Sequence, residues 1–242
     1  MKTNKEHREQ NVVQDSGNAL IYVLIAIVLF AALSFTLSRQ TDTGEAGELT
    51  DTRAELYATQ LISYSAQVKS ALDQMIFTRA RIDELDFTDP SDAGFNGGTQ
   101  KDRSNRVFHP EGGGITKGRL PEDVISQAGA NPNAGWYLGR FNNVEWTNTT
   151  ADDVILVAYQ IDRAVCEKIN EMINGNTNIP IISGILKTYL IDDSFYTATT
   201  NADLTTDPAF TPICADCHQI RSLCVQNVGQ NAYAFYSVVL DQ

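Results

Sequence analysis

The sequence Gly17-Asn18 followed by ALIYVLIAIVLFAALSFTL, which covers residues Ala19–Leu37, decides how this chain is organised. No residue from Ala19 to Leu37 is charged. A helix of this length rises about 28 Å, close to the roughly 30 Å hydrocarbon core of a bilayer. The stretch therefore predicts a transmembrane helix over residues 18–38.

The charges on the two sides of this stretch predict its orientation. Lys2, Lys5 and Arg8 precede it, whereas Arg39 alone follows it before a run of acidic residues. Loops rich in lysine and arginine stay on the cytoplasmic side of a membrane. We therefore expect residues 1–17 to form a cytoplasmic leader and the remainder of the chain to be exported.

A second helical pattern follows a polar break at residues 41–47. Apolar residues recur at steps of three and four from Leu49 to Leu85, with charged residues between them. This spacing predicts one apolar stripe on a helix. We therefore expect the anchor to continue, over residues 39–87, into an amphipathic helix that packs on the exported domain.

The rest of the chain predicts a sheet domain. Residues 88–135 are rich in glycine, proline and asparagine, which indicates a long connecting loop that is either functional or packed on the domain. In residues 136–242 we expect a hairpin at Trp136–Trp146, strands at Asp153–Ile161, Ile185–Ile191 and Ala232–Leu240, and a helix capped by Asp162 and ended by Gly175. The fold class is α+β: a long N-terminal helix, half membrane-spanning and half amphipathic, on an antiparallel sheet.

Composition limits the function. The net charge is −12, and 43% of residues are hydrophobic, so the exported part is globular and offers no basic surface for nucleic acid. The sequence has no Gly-x-Ser-x-Gly or His-Glu-x-x-His motif. We therefore expect no enzymatic activity, no resident metal and no nucleic-acid partner.

Several segments together resemble the type IV pilin and pseudopilin superfamily. They are Gly17, the apolar run with its end at Arg39, VCEKIN at residues 165–170 and YAFYSVVL at residues 233–240. The resemblance covers about the first 85 residues in pattern and the last 90 more loosely. It implies a structural subunit of a type IV pilus-like filament or a type II secretion pseudopilus.

The resemblance also implies roles for particular residues. Gly17 precedes the prepilin peptidase cut, and Asn18 becomes the mature N-terminus. The Ala19–Leu37 helix first lies in the bilayer of the bacterial inner membrane and then packs against the helices of other pilin-like subunits, in a surface or periplasmic filament. The family's major subunits carry glutamate at the fifth mature position, where this chain has Tyr22, so the resemblance is to a minor or initiating tip component.

The four cysteines lie in the part expected to be exported, where thiols are oxidised to disulfides. Three pairings of Cys166, Cys214, Cys217 and Cys224 are possible. The resemblance favours a bond from Cys166 to Cys224, since both lie in the pilin-like segments. Cys214 and Cys217 then form a local bridge or carry haem.

Two other functions remain open. Cys214, Cys217 and His218 fit the Cys-x-x-Cys-His pattern of covalent haem attachment, which predicts a membrane-tethered c-type cytochrome with haem as its cofactor. The other alternative is an exported binding domain held by an unprocessed signal anchor.

Overall fold

The computed structural model describes residues 17–41, 50–78, 80–126, 132–142, 149, 151–183, 186–191, 214–227, 229 and 231–241. The chain divides into two compact units, Met1–Glu48 and Leu49–Gln242. The first unit contains helix α1, Gly17–Thr41. The leader residues 1–16 lie outside the described residues.

The prediction of one long N-terminal helix, membrane-spanning in one half and amphipathic in the other, is wrong. The described residues contain two separate helices, α1 and α2 (Asp51–Phe77), which belong to different units. No helix within the described ranges combines the length and hydropathy needed to cross a membrane. Residues 42–49, which separate the two helices in the sequence, lie outside the described residues.

Helix α2 is also shorter than its apolar pattern predicts. It ends at Phe77 instead of Leu85. The Ala80 backbone N–H donates to the Met75 carbonyl, five residues back, and the Thr78 hydroxyl donates to the same carbonyl, so the i−4 bonding of the helix stops there. The residues that α2 buries follow the expected steps of three and four: Ala54, Ala58, Leu61, Ser65, Val68, Leu72 and Met75.

Four strands form one antiparallel sheet, as the sequence predicts for the sheet domain. They are β1 (Gly135–Asn142), β2 (Asp153–Tyr159), β3 (Ser222–Asn227) and β4 (Ala232–Leu240), in the spatial order β1-β2-β4-β3. Strands β1 and β3 are therefore the two edges. All seven residues of β2 are buried, because both faces of the sheet are covered.

The two faces carry different layers. On one face, Leu156, Cys224 and Phe235 pack in the same core as helices α2 and α4 (Arg163–Asn174). On the other face, Val157 and Tyr236 pack with helix α5 (Leu186–Leu190) and the Cys214–Cys217 turn.

Helix α4 has the caps that the sequence predicts. The Ala164 backbone N–H donates to the Asp162 carboxylate at 2.7 Å. Gly175 follows the last turn with a φ of +73°, a left-handed conformation that glycine adopts without strain. Both ends of the helix are therefore fixed by local sequence.

Two expectations for the sheet domain need correction. Ile185–Ile191 was expected to be a strand, but Leu186–Leu190 is helix α5, in which two leucines four residues apart are both fully buried. The expected hairpin within Trp136–Trp146 has no turn in its described part, because β1 runs without interruption from Gly135 to Asn142 and pairs with β2. Residues 143–148 lie outside the described residues.

The long connection packs on the domain. It contains helix α3 (Gln100–Asn105), whose capping box joins Thr99 and Asp102, and a short 3-10 turn at Glu122–Val124. Val107 and Val124 are fully buried in the core shared with α2. The expectation that this stretch is long and has little regular structure agrees with what is described.

Candidate functional site

One disulfide joins helix α4 to strand β3. Cys166 and Cys224 are bonded, with their Cα atoms 5.4 Å apart, and both are fully buried between the helices and the sheet. Disulfides are thus present, as the sequence predicts for an exported domain. This pair is also the one that the resemblance to pilins favours.

Asn170 lies one helical turn beyond Cys166 and is fully buried. Its side-chain oxygen accepts a hydrogen bond from the Cys224 backbone N–H at 2.7 Å. Its side-chain nitrogen donates to the Cys224 carbonyl at 2.8 Å and to the Asn178 carbonyl at 2.7 Å. Asn170 therefore satisfies both backbone groups of Cys224 at the outer edge of β3.

The chain also covers the next part of that edge. The Gln226 backbone N–H donates to the Pro180 carbonyl, and the Ile182 backbone N–H donates to the Gln226 carbonyl, both at 2.9 Å. Ile181 forms an isolated parallel bridge with Gln226. The β3 edge is thus closed at two successive outward positions, Cys224 and Gln226.

The second disulfide is local. Cys214 and Cys217 are bonded across a 3-10 turn, with Cα atoms 5.3 Å apart, and the Cys217 backbone N–H donates to the Cys214 carbonyl. Both side chains are buried in the same core cluster as Leu186 and Leu190 of α5. This turn covers the face of the sheet opposite α2.

This arrangement does not fit a covalently attached haem. Haem attachment needs both thiols to bond to the vinyl groups, whereas the sulfurs of Cys214 and Cys217 are bonded to each other inside an apolar core. His218 follows the turn and is exposed. The three residues of the Cys-x-x-Cys-His pattern therefore lie together, but with the sulfurs oxidised and buried.

The two residues expected at the processing site, Gly17 and Asn18, begin helix α1. From Ile21 to Ala32 every side chain of α1 is exposed, including Tyr22. Consecutive residues on a helix point in all directions around it, so the apolar surface surrounds the helix. Such a surface is stable only when something covers it.

A polar cluster braces the long connection. The Arg106 guanidinium donates to the Asp86 carboxylate at 2.9 Å and to the Phe95 and Gly97 carbonyls at 2.6 and 2.7 Å. The pKa of Asp86 lies below its usual value: burial raises it, but hydrogen bonds from Thr88 and Arg106 outweigh that effect. The cluster explains how a segment with so little regular structure keeps one conformation.

A second ion pair closes the same segment. The Lys117 ammonium contacts the Asp89 carboxylate, which also accepts hydrogen bonds from the Ser91 backbone N–H and hydroxyl. These donors, with Lys117 as the largest cause, lower the pKa of Asp89 to about 2. The pair therefore ties two distant parts of the connection together.

The described residues contain no group of three histidine, cysteine, aspartate or glutamate side chains suited to a metal ion. His109 is buried and stacks near Phe95, with ring centres 5.2 Å apart. Its Nδ1 accepts a hydrogen bond from the Glu111 backbone N–H at 3.1 Å. The contacts of His109 therefore help to hold the long connection in place.

Two clefts lie along β1, the other edge of the sheet. The Arg119 cleft, about 310 Å³, lies at the beginning of the strand and is lined by Lys117, Arg119, Leu120, Ile125, Trp136 and Tyr137 among others. The Phe87 cleft, about 620 Å³, lies towards the end of the strand and is lined by Asp86, Phe87, Leu138, Arg140, Phe141 and Asp152 among others.

Arg140 links β1 to the turn that precedes the Phe87 cleft. Its guanidinium donates to the Ile82 and Leu85 carbonyls at 2.5 and 2.8 Å and lies 5.2 Å from the centre of the Phe87 ring. Burial lowers the pKa of Arg140, and nearby carboxylates such as Asp83 oppose this effect. The side chain therefore holds one wall of the cleft beside the strand.

No protein family, curated protein or solved structure matches this chain.

Sequence reasoning did not find the residues that organise the two sheet edges. Asn170 belongs to a predicted helix, but its partner Cys224 lies 54 residues further along the chain. Arg140 reaches carbonyl groups 58 and 55 residues away. Pairings of this kind depend on tertiary structure, and no local pattern signals them.

Proposed function

We propose that this chain is a pilin-like structural subunit, a minor or initiating tip component of a type IV pilus-like or type II secretion pseudopilus filament. The observation that carries the proposal is the apolar surface surrounding α1 from Ile21 to Phe30. Its role is structural rather than enzymatic. Before assembly the chain is held at the bacterial inner membrane, with its second unit exported.

The energetics of α1 support this role. Covering one large aliphatic or aromatic side chain contributes about 1.5–3 kcal/mol. Nine such side chains between Ile21 and Phe30 are at least half exposed. Helices of other subunits can cover them on all sides, and small residues such as Ala26 and Ala31 allow those helices to approach closely.

The second unit supports export. Its four described cysteines form two disulfides, which persist in oxidising compartments and are rare in the cytoplasm. Its architecture is α+β, with helices packed on a four-stranded antiparallel sheet. The bond between Cys166 and Cys224 joins the two pilin-like segments.

Processing at Gly17 is part of the proposal. Cleavage by prepilin peptidase leaves Asn18 as the mature N-terminus and Ala19–Leu37 intact on the product. Tyr22 cannot neutralise the new amino group of a neighbouring subunit as a glutamate can. An unpaired charge is costly in an apolar filament core, which is why we assign a minor or initiating component and not the major subunit.

The intact mass of the protein from its native membrane tests the processing. We expect a chain that begins at Asn18, with or without one methyl group, and that gains four hydrogen atoms on reduction. A chain that begins at Met1 or Lys2 would contradict the processing and favour the unprocessed anchored domain. A haem-sized addition with absorbance near the Soret band would favour the cytochrome.

Photocrosslinking in living cells tests the assembly. A photoreactive phenylalanine analogue at Phe30 should crosslink to another filament subunit, because that side chain is 75% exposed on α1. The matched control is the same analogue at Phe77, which is 87% exposed at the end of α2. Crosslinks to lipid alone at Phe30, or equal protein crosslinks at both positions, would contradict the assembly.

A further inference from the structure

The side of its strand to which each residue directs its backbone N–H and carbonyl can be worked out across the sheet, from the β3 edge to the β1 edge. On β3, Cys224 and Gln226 direct their backbone groups outward, to Asn170 and to Pro180 and Ile182. Backbone groups of successive residues point to opposite sides of a strand. Leu223 and Val225 therefore bond to β4.

The registers carry this alternation across the sheet. Ala234 pairs with Val225, so Phe235, next to it on β4, bonds to its partner Ala158 on β2. Val157 then bonds towards β1, where its partner is Tyr137. The β1 residues whose backbone groups point away from the sheet are therefore Trp136, Leu138 and Arg140.

These outward groups have no hydrogen-bond partner among the described residues. No backbone N–H or carbonyl of Trp136, Leu138 or Arg140 bonds to the segments that line the two clefts. A row of unpaired backbone groups along a sheet edge is a template for another strand.

The two edges of the sheet are thus treated in opposite ways. The chain closes the β3 edge with Asn170 and with residues 180–182. Along β1 it provides two clefts, with Leu120 and Phe87 in their walls. The clefts lie against the same strand whose outward backbone groups are unpaired.

Charge indicates what the open edge receives. Arg119 is exposed, lines the first cleft and has no ion-pair partner within the described ranges. Lys117, beside it, is already paired with Asp89. A carboxylate carried by the ligand would find its complement at Arg119.

We infer that the β1 edge binds an extended acidic peptide segment of another protein as a fifth strand. The outward groups recur every second residue, which matches the repeat of a strand laid beside them. Alternate side chains of the peptide enter the clefts, and an acidic side chain meets Arg119. This inference does not rest on the proposed function, since it holds whether or not the chain polymerises.

Residue-resolved hydrogen–deuterium exchange of the full chain in detergent micelles tests the inference. The probe is a synthetic peptide of alternating valine and glutamate, and the control peptide is the same sequence with alternate amides N-methylated. We expect the amides of Trp136, Leu138 and Arg140 to exchange at least about tenfold more slowly with the probe. The inward amides of Tyr137 and Gly139 should be slow with or without it.

A charge reversal tests the acidic preference. Arg119→Glu should weaken binding of the probe at least about tenfold, the change expected when a favourable charge pair becomes repulsive. Arg53→Glu, at an exposed position of α2, changes the net charge equally and should leave binding unchanged. Equal weakening by the two variants would contradict a specific contact at Arg119.

Three results would overturn the inference. Outward amides that are as slow as the inward ones without peptide would mean that the edge is already covered. Equal protection by the N-methylated peptide would mean that the contact does not involve strand pairing. Protection that rises with protein concentration in the absence of peptide, together with a dimer mass, would assign the edge to a second copy of the chain.

Discussion

The side-chain amide of Asn170 hydrogen-bonds both backbone groups of Cys224, at 2.7 and 2.8 Å, one helical turn from the cysteine bonded to that residue. Helix α4 is therefore fixed to strand β3 twice, by a covalent bond and by a hydrogen-bonded side chain. The two contacts involve the same residue, Cys224, but stabilise the fold in different ways. The disulfide lowers the conformational entropy of the unfolded chain, and the amide of Asn170 satisfies buried backbone polar groups.

Asn170→Ala should lower the free energy of unfolding by about 2–3 kcal/mol, because the two buried backbone groups of Cys224 and the part-buried Asn178 carbonyl lose their partner at about 1 kcal/mol each. Urea denaturation with the disulfides intact measures this. Glu171→Ala, which removes a half-exposed side chain from the same helix, should cost less than about 1 kcal/mol. Equal losses in the two variants would contradict the role given to Asn170.

The two disulfides should differ in their contribution to stability. Replacing Cys166 and Cys224 by alanine opens a link across 58 positions, and the chain-entropy relation gives a loss of about 4 kcal/mol. Replacing Cys214 and Cys217 opens a link across 3 positions, for which the same relation gives about 1.6 kcal/mol. Urea unfolding of both double variants should show this order, and the reverse order would contradict it.

Gly118→Ala should destabilise the domain by about 1–3 kcal/mol through overpacking. A Cβ atom there would lie 2.8 Å from Cζ of Tyr64 and 3.0 Å from Cδ1 of Trp136, whose rings already pack with centres 4.7 Å apart. Thermal denaturation measures the loss. Gly94→Ala is the matched control, since nothing lies within 4 Å of its added Cβ, and it should be neutral or slightly stabilising.

Asp89 should make the free energy of unfolding depend on pH in the acidic range. Its pKa in the folded state, about 2, is below the ordinary value, so its stabilisation is complete above about pH 5 and is lost as the pH falls towards 2. Asp89→Asn should therefore lower the urea midpoint at pH 7 but have little effect near pH 2. Glu122→Gln, an exposed carboxylate replaced in the same way, should show no such convergence.

The sequence predicted those elements whose signals are local. Strand β4 agrees with its predicted bounds at Ala232 and Leu240, and α4 with its caps at Asp162 and Gly175, because apolar runs and capping residues lie within the elements themselves. Strand β3 was not predicted, since SLCVQN is short and ends in two polar residues. Its conformation depends on pairing with β4.

The error at residues 185–191 has a similar cause. The segment is apolar enough for a strand, and a spacing of four residues places Leu186 and Leu190 on one side of either a strand or a helix, so the pattern does not distinguish the two. The pairing of Cys166 with Cys224 was suggested by resemblance. The open edge of β1 could not be predicted, because it depends on which strand becomes the edge.

The disulfide between Cys166 and Cys224 also limits how far a pulling force can extend the protein. A subunit pulled by its two ends can lengthen only through residues outside this covalent loop. The loop spans 58 positions, and at about 3.4 Å each they could add about 200 Å of extension, which becomes available only when the bond is reduced. The Cys214–Cys217 link lies within the same loop, so breaking it alone releases no length under load.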